Sequence, residues 1–183
     1  AEPQAAPTGD TPVLRALRLE PGEELTIDGR LDEEAWQRAQ PTADFRQSEP
    51  QTGTAATERT EVRIVFNSDS LYIGVALYDS EPNSLLGNQM VRDGALSADD
   101  RFMWMLDPFY DQTSGYFFEI NPAGAMGDAQ LVPAQGGGGF GMTENRAWDG
   151  IWMARVTRNA EGWTAEIEIP FRTLNFDPQA EAW

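Results

Sequence analysis

Residues 71–78, Leu-Tyr-Ile-Gly-Val-Ala-Leu-Tyr, constrain the fold more than any other stretch of the chain. Side chains alternate along an extended strand, so Leu71, Ile73, Val75 and Leu77 share one face and Tyr72, Gly74, Ala76 and Tyr78 the other. Neither face is charged, which predicts a central strand covered on both sides. Val62-Arg63-Ile64-Val65-Phe66 lies just upstream, across Asn67-Ser68-Asp69-Ser70. That loop is turn-forming and of hairpin length, so the two runs pair as antiparallel neighbours.

Other segments repeat the pattern. Val13–Leu19 suggests an opening strand and Glu24–Ile27 a short second one; Arg101–Asp107 and Tyr116–Asn121 pair across the acidic loop 108–115. Ile151–Thr157 and Trp163–Ile169 form a further hairpin, with Trp152, Ala154 and Val156 on one side of the first and Trp163, Ala165, Ile167 and Ile169 on one side of the second. The exception is Asp28–Trp36. Asp28-Gly29 is a turn, because Gly enters the left-handed region at no steric cost. A short helix near residues 32–39 follows, capped by Asp32, with Glu33 and Glu34 at its positive end. Leu31, Ala35, Trp36 and Ala39 form its apolar face, expected to plug one end of a sheet with Trp36 as core anchor. About eight strands and one helix predict an all-β fold, an antiparallel β-sandwich. Residues 1–12 read as a disordered leader and 13–183 as a single domain. Residues 41–61 cross a face of the sheet, anchored by Phe45 and Pro50. Residues 79–98 form a long connection of the kind that carries binding residues. Residues 122–147 read as loop, with Gly136–Gly139 as a mobile flap. Without a lysine or a strand-loop-helix context the glycines are no phosphate loop, so no nucleotide site is expected.

A chain of 183 residues that is 40% hydrophobic can bury one core without staples. It has no Cys and no His, which removes thiol chemistry, Ser-His-Asp catalysis, and His- or Cys-bound zinc and haem. A net charge of −17 repels nucleic acid. All 13 basic residues are Arg, which leaves guanidinium forks to recognise carboxylates or hydroxyls. No run approaches the length of a membrane-spanning helix. The start Ala1-Glu2-Pro3-Gln4-Ala5-Ala6-Pro7 resembles a mature terminus left by a signal peptide, which predicts a periplasmic or extracellular protein.

A series of segments then resembles one family. In order they are Asp28-Gly29-x-Leu31-Asp32-Glu33-x-Ala35-Trp36, Leu71–Val75, Asp79-x-x-Pro82, Arg92-Asp93 with Asp99-Asp100, Asp107-Pro108-Phe109, Tyr116-x-Phe118-x-Ile120-Asn121-Pro122-x-Gly124, Trp148-Asp149-Gly150-x-Trp152, and Gly162-Trp163-x-x-Glu166-x-x-Ile169-Pro170-Phe171. Together they resemble the family 9 carbohydrate-binding module and its DOMON-like relatives, as found at the N-terminus of secreted bacterial proteins that continue into a predicted outer-membrane barrel. The sequence stops at Trp183, about where larger relatives start another strand, so a C-terminal continuation is expected and an open sheet edge without it.

The resemblance implies a non-catalytic β-sandwich that holds saccharide ends between aromatic slabs and carries structural calcium. A pyranose presents apolar C–H faces to an aromatic slab and a rim of hydroxyls to planar polar groups. Trp148 is the candidate slab, lying in a loop before a strand, with Trp104 or Tyr110 as a second; Arg92, Asn145 and Arg146 supply the rim. Calcium takes several oxygen ligands, for which Asp107 and Asp111, with Asp79 and Asp128, are the candidates, and Asp99 and Asp100 the remaining acidic ones. Adjacent Asp99 and Asp100 point to opposite faces of a strand and cannot flank a glycosidic bond, which argues against an enzyme. The rival reading is an accessory subunit that docks by its loops on a larger periplasmic or membrane protein complex, with no sugar bound. A DOMON-type haem domain is disfavoured, since only methionines such as Met103, Met105, Met126 and Met142 could ligate the iron.

Overall fold

The computed structural model describes residues 13–133 and 142–176. Their strands are β1 (Leu17–Arg18), β2 (Thr60–Phe66), β3 (Ser70–Tyr78), β4 (Phe102–Leu106), β5 (Gly115–Ile120), β6 (Met126–Pro133), β7 (Met142–Asn145), β8 (Met153–Asn159) and β9 (Gly162–Pro170), with one helix, α1 (Glu34–Arg38). They form a five-stranded sheet in the order β1-β2-β3-β9-β8 and a four-stranded sheet in the order β4-β5-β6-β7. All pairings are antiparallel except β1 with β2. The chain is a β-sandwich of the expected class, with the predicted central strand β3 between β2 and β9.

The two sheets meet over one core. Val62, Ile73, Val75, Ala165, Ile167 and Ile169 come from the five-stranded sheet and Tyr116, Phe118 and Ile120 from the other, with Trp152 and Trp163 closing it. Phe102, Trp104 and Leu106 line its edge, while the alternate residues Met103 and Met105 stay exposed. The opposite face of β3 is covered too: Trp36 and Tyr72 join Leu19, Ala35, Ala39 and Val65 in a second apolar cluster. The helix therefore lies on the outer face of the five-stranded sheet rather than plugging its end. Gly74 makes that docking possible, since a Cβ there would come within 2.8 Å of Leu31 Cδ2 and 2.9 Å of the Trp36 ring.

Several local expectations change. The helix spans only Glu34–Arg38, and Asp32 does not cap it: Glu33 is the N-cap and makes no side-chain cap bond. Its Oε1 accepts instead from the Thr26 amide at 3.1 Å. The opening strand shrinks to Leu17–Arg18, and Glu24–Ile27 is not a strand, although Leu25 and Ile27 pack against the second cluster. Phe45 is 38% exposed and, among the described residues, belongs to no core cluster. Most of the discrepancy lies in 122–147, read as loop, which contains β6 and β7. The stretch Met-Gly-Asp-Ala-Gln-Leu-Val-Pro hides its strand because an aspartate occupies a buried, core-facing position. The leader at 1–12 and the glycine flap at 136–139 fall outside the described residues.

Candidate functional site

Asp128 sits opposite Phe118 in the β5–β6 register, so its carboxylate faces the core side of the four-stranded sheet. It is 1% exposed and would be destabilising without partners. It has three: the Trp152 Nε1–H at 2.8 Å, the Gly150 amide at 3.0 Å and the Arg92 guanidinium at 2.5 Å. Arg92 also donates to Asp149 Oδ1 and to the Gly150 carbonyl, both at 2.9 Å, and lies over the Trp152 ring, 5.8 Å from its centroid. The long connection before β4 is thereby clamped to the 145–150 turn.

That turn presents Trp148. Its amide donates to the Asn145 carbonyl at 3.3 Å, while Asn145 Oδ1 accepts from Ala147 at 3.2 Å. The indole is partly buried, tilted against Tyr116 at 4.9 Å and edge-on to Phe118 at 6.1 Å. It lies so close over Gly150 that a Cβ there would be 2.7 Å from Trp148 Cη2. Arg92 and Trp148 thus flank the same glycine, one held by its carbonyl and the other stacked above its α-carbon.

The remaining sequence candidates go elsewhere. Trp104 is an inner-face residue, stacked between Phe102 and Phe118 at 5.3 Å each and edge-on to Trp152 at 5.7 Å. Its indole N–H is buried and, among the described residues, has no hydrogen-bond acceptor. Tyr110 is 65% exposed at the β4–β5 loop, with φ +53°. Arg146 turns to the outer face of the sheet, where its guanidinium lies 5.6 Å over Phe117, donates to Glu119 Oε1 at 3.1 Å and to Glu144 Oε2 at 2.8 Å. Burial by itself would lower the Arg146 pKa, but its bonds to Glu119 and Glu144 outweigh that and raise it. Glu119 is 1% exposed and shared with Arg101 at 2.6 Å. The sequence reading missed Glu119 and Asp149. Alternation along Tyr116–Asn121 puts Glu119 out of phase with the core, while its arginine partners lie 18 and 27 residues away in the sequence.

The acidic candidates do not converge. Asp107 accepts from the Asp111 and Gln112 amides at 3.2 and 2.7 Å, and Asp111 in turn from Thr113 and Ser114 at 2.7 and 2.9 Å. Asp79 accepts from Glu81 at 2.6 Å and Asp100 from Leu86 at 2.6 Å. Asp99 takes the Asn88 and Gln89 amides at 3.0 and 2.9 Å and the Asn121 side chain at 2.8 Å. Among the described residues no three acidic side chains come together in a group able to hold a metal ion. Calcium takes six to eight oxygens, from backbone carbonyls as well as carboxylates, so a site at any one of these loops would draw on its backbone.

The catalytic question turns on Glu166, whose carboxyl burial pushes up, as in general acids. It is fully buried under Trp36, and its oxygens accept from the Asp28 and Gly29 amides at 2.8 and 2.9 Å and from Trp36 Nε1 at 2.8 Å. A substrate cannot reach it.

Solved structures are similar in fold, three of them as follows. A family 9 carbohydrate-binding module from Caldicellulosiruptor kristjanssonii in complex with glucose superposes with a TM-score of 0.56 at 14% identity, over 90% of this chain and 71% of that one. The same organism's module in complex with cellotriose gives 0.55 at 14%, over 85% and 67%. A Bacteroides uniformis ATCC 8492 protein proposed to bind carbohydrate gives 0.58 at 14%, over 86% and 72%. At such identity the likeness is one of fold. No protein-family model matches the chain, and no curated protein matches it in sequence.

Proposed function

We propose that this domain is a non-catalytic saccharide-binding module of the bacterial cell envelope, reached by export to the periplasm or beyond. The carrying observation is the 145–150 turn, where Trp148 leans over Gly150 beside the Arg92 clamp. Trp148 supplies the apolar slab, and Arg92 and the Asn145 amide supply hydroxyl partners. The fold shared with modules solved with glucose and cellotriose supports this reading.

Titration with mono- and oligosaccharides tests it. Binding heat and tryptophan fluorescence quenching are expected for at least one glycan, with Trp148→Ala weakening it at least about tenfold, the scale of a lost aromatic stacking contact. Silence across a broad glycan panel would sink the reading.

One observation favours the accessory-subunit alternative. Met103, Met105 and Met142 are 54%, 63% and 47% exposed, and Phe109 47%. Adaptable methionines suit a protein-docking surface. Recovery of the domain with a partner from detergent-solubilised membranes, combined with glycan silence, would replace the first reading by the second.

A further inference from the structure

The outer face of the five-stranded sheet carries a trench that none of the sequence candidates occupies. In register across four strands lie Glu61, Ala76, Thr164 and Thr157, a row in which three of the side chains are short. On one side the row is bounded by Leu31 and Trp36, standing over Gly74, and on the other by Tyr78 and Asn159, which both face Gly162. The result is an open cleft of about 510 Å3 running across the strands, with Arg30, Asp32, Gln37 and Arg63 at its margins. That volume is within the ordinary range of small-ligand sites.

Its walls are fixed and several of its polar groups are unspent, although Thr164 gives its hydroxyl to the Gly29 carbonyl at 2.6 Å. Glu61, 5% exposed, binds both Arg59 and Arg63, so the Arg63 fork is held with only Nη1 engaged, at 2.9 Å. Arg59 lies 5.0 Å over the Tyr78 ring and braces it. Gln37 donates to the Leu31 carbonyl at 3.1 Å, which leaves its oxygen free, and Asn159 accepts from Glu161 at 2.8 Å, which leaves its NH2 free. Among the described residues the Arg30 guanidinium, the Asp32 carboxylate and the Tyr78 hydroxyl have no hydrogen-bond or ion-pair partner.

We propose that this trench is a second saccharide site, on the sheet opposite the Trp148 turn, taking one or two neutral hexose rings. The half-buried side chains of Leu31 and Ala76 offer an apolar patch to the C–H face of a sugar ring. Tyr78, Gln37, Asn159 and Thr157 each carry a donor or both a donor and an acceptor, which is the chemistry of hydroxyls rather than of a single charge. A net charge of −17 disfavours an anionic ligand. The proposal rests on the saccharide reading of the domain but uses none of the same residues.

The test is an amide-resolved NMR titration of the whole domain with glucose and with cellobiose, run on wild type, Arg30→Ala, Tyr78→Ala and Trp148→Ala. Arg30 is exposed, so its variant folds even if Tyr78→Ala does not. The expected result is shifts at Gln37, Tyr78 and Asn159 that survive Trp148→Ala, with affinity at these signals reduced about tenfold by Arg30→Ala, the worth of one hydrogen bond to a charged group. Shifts confined to residues 145–150 would overturn the trench site and leave the domain's function standing. No shift anywhere would overturn both. Shifts at the trench with the zwitterion alanyl-alanine, and not with either sugar, would overturn the ligand class.

Discussion

Glu166 and Asp99 set opposite pH dependences. Burial pushes the Glu166 carboxyl above its ordinary 4.5, opposed by the Asp28 and Gly29 amides and the Trp36 indole. The native state then holds that proton more tightly than the unfolded chain, so stability is highest below the ordinary value and is lost as pH rises through the folded one. Asp99 is held down to about 2, first by the Gln89 amide and then by that of Asn88. Its contribution is present above 3.8 and is lost as pH falls through about 2. Glu166→Gln cannot ionise, so urea midpoints of the variant are expected to lack the decline that wild type shows as pH rises from 4.5. Parallel profiles for the two proteins would show that folding leaves the Glu166 carboxyl at its ordinary pKa.

At the scale of the element, α1 has five residues and no side-chain capping bond, too short to persist alone. Tertiary contacts hold it, above all the seat of Trp36 on Gly74. Gly74→Ala places a methyl 2.9 Å from that ring and 2.8 Å from Leu31, and is expected to cost about 1–3 kcal/mol in urea unfolding. An unchanged midpoint would mean that the helix shifts freely. Here the sequence was a good guide: alternation exposed β3, and the Asp28-Gly29 turn and the apolar stripe of α1 were visible as residue types. It failed where a strand's pattern was broken by polar residues whose partners lie far along the chain. β6 has Asp128 at a core position, satisfied by Arg92, 36 residues earlier, and by Trp152, 24 later. Trp148 and Arg92 were legible as an exposed-looking aromatic and cation, but their meeting at Gly150 was not. The trench escaped notice because its floor is defined by register across four strands, which no single segment reveals.

For the whole molecule, the charge of −17 makes any divalent cation mildly stabilising through screening alone, so a calcium test needs magnesium at equal ionic strength as its control. Thermal melts in calcium, magnesium and chelator are expected to coincide once that control is applied; a rise specific to calcium would show an ion bound to the native state. The dock between Glu166 and the Asp28–Gly29 turn spans up to 138 residues of sequence. A chain made N-terminus first has no seat for its opening turn until β9 exists, because β9 supplies both that carboxylate and the neighbour of β3. Trp36 can meet Val65, Tyr72 and Gly74 earlier, but its indole N–H has no acceptor until Glu166 is synthesised. Such long-range closure makes folding slow and late, which keeps the chain open while it is being made.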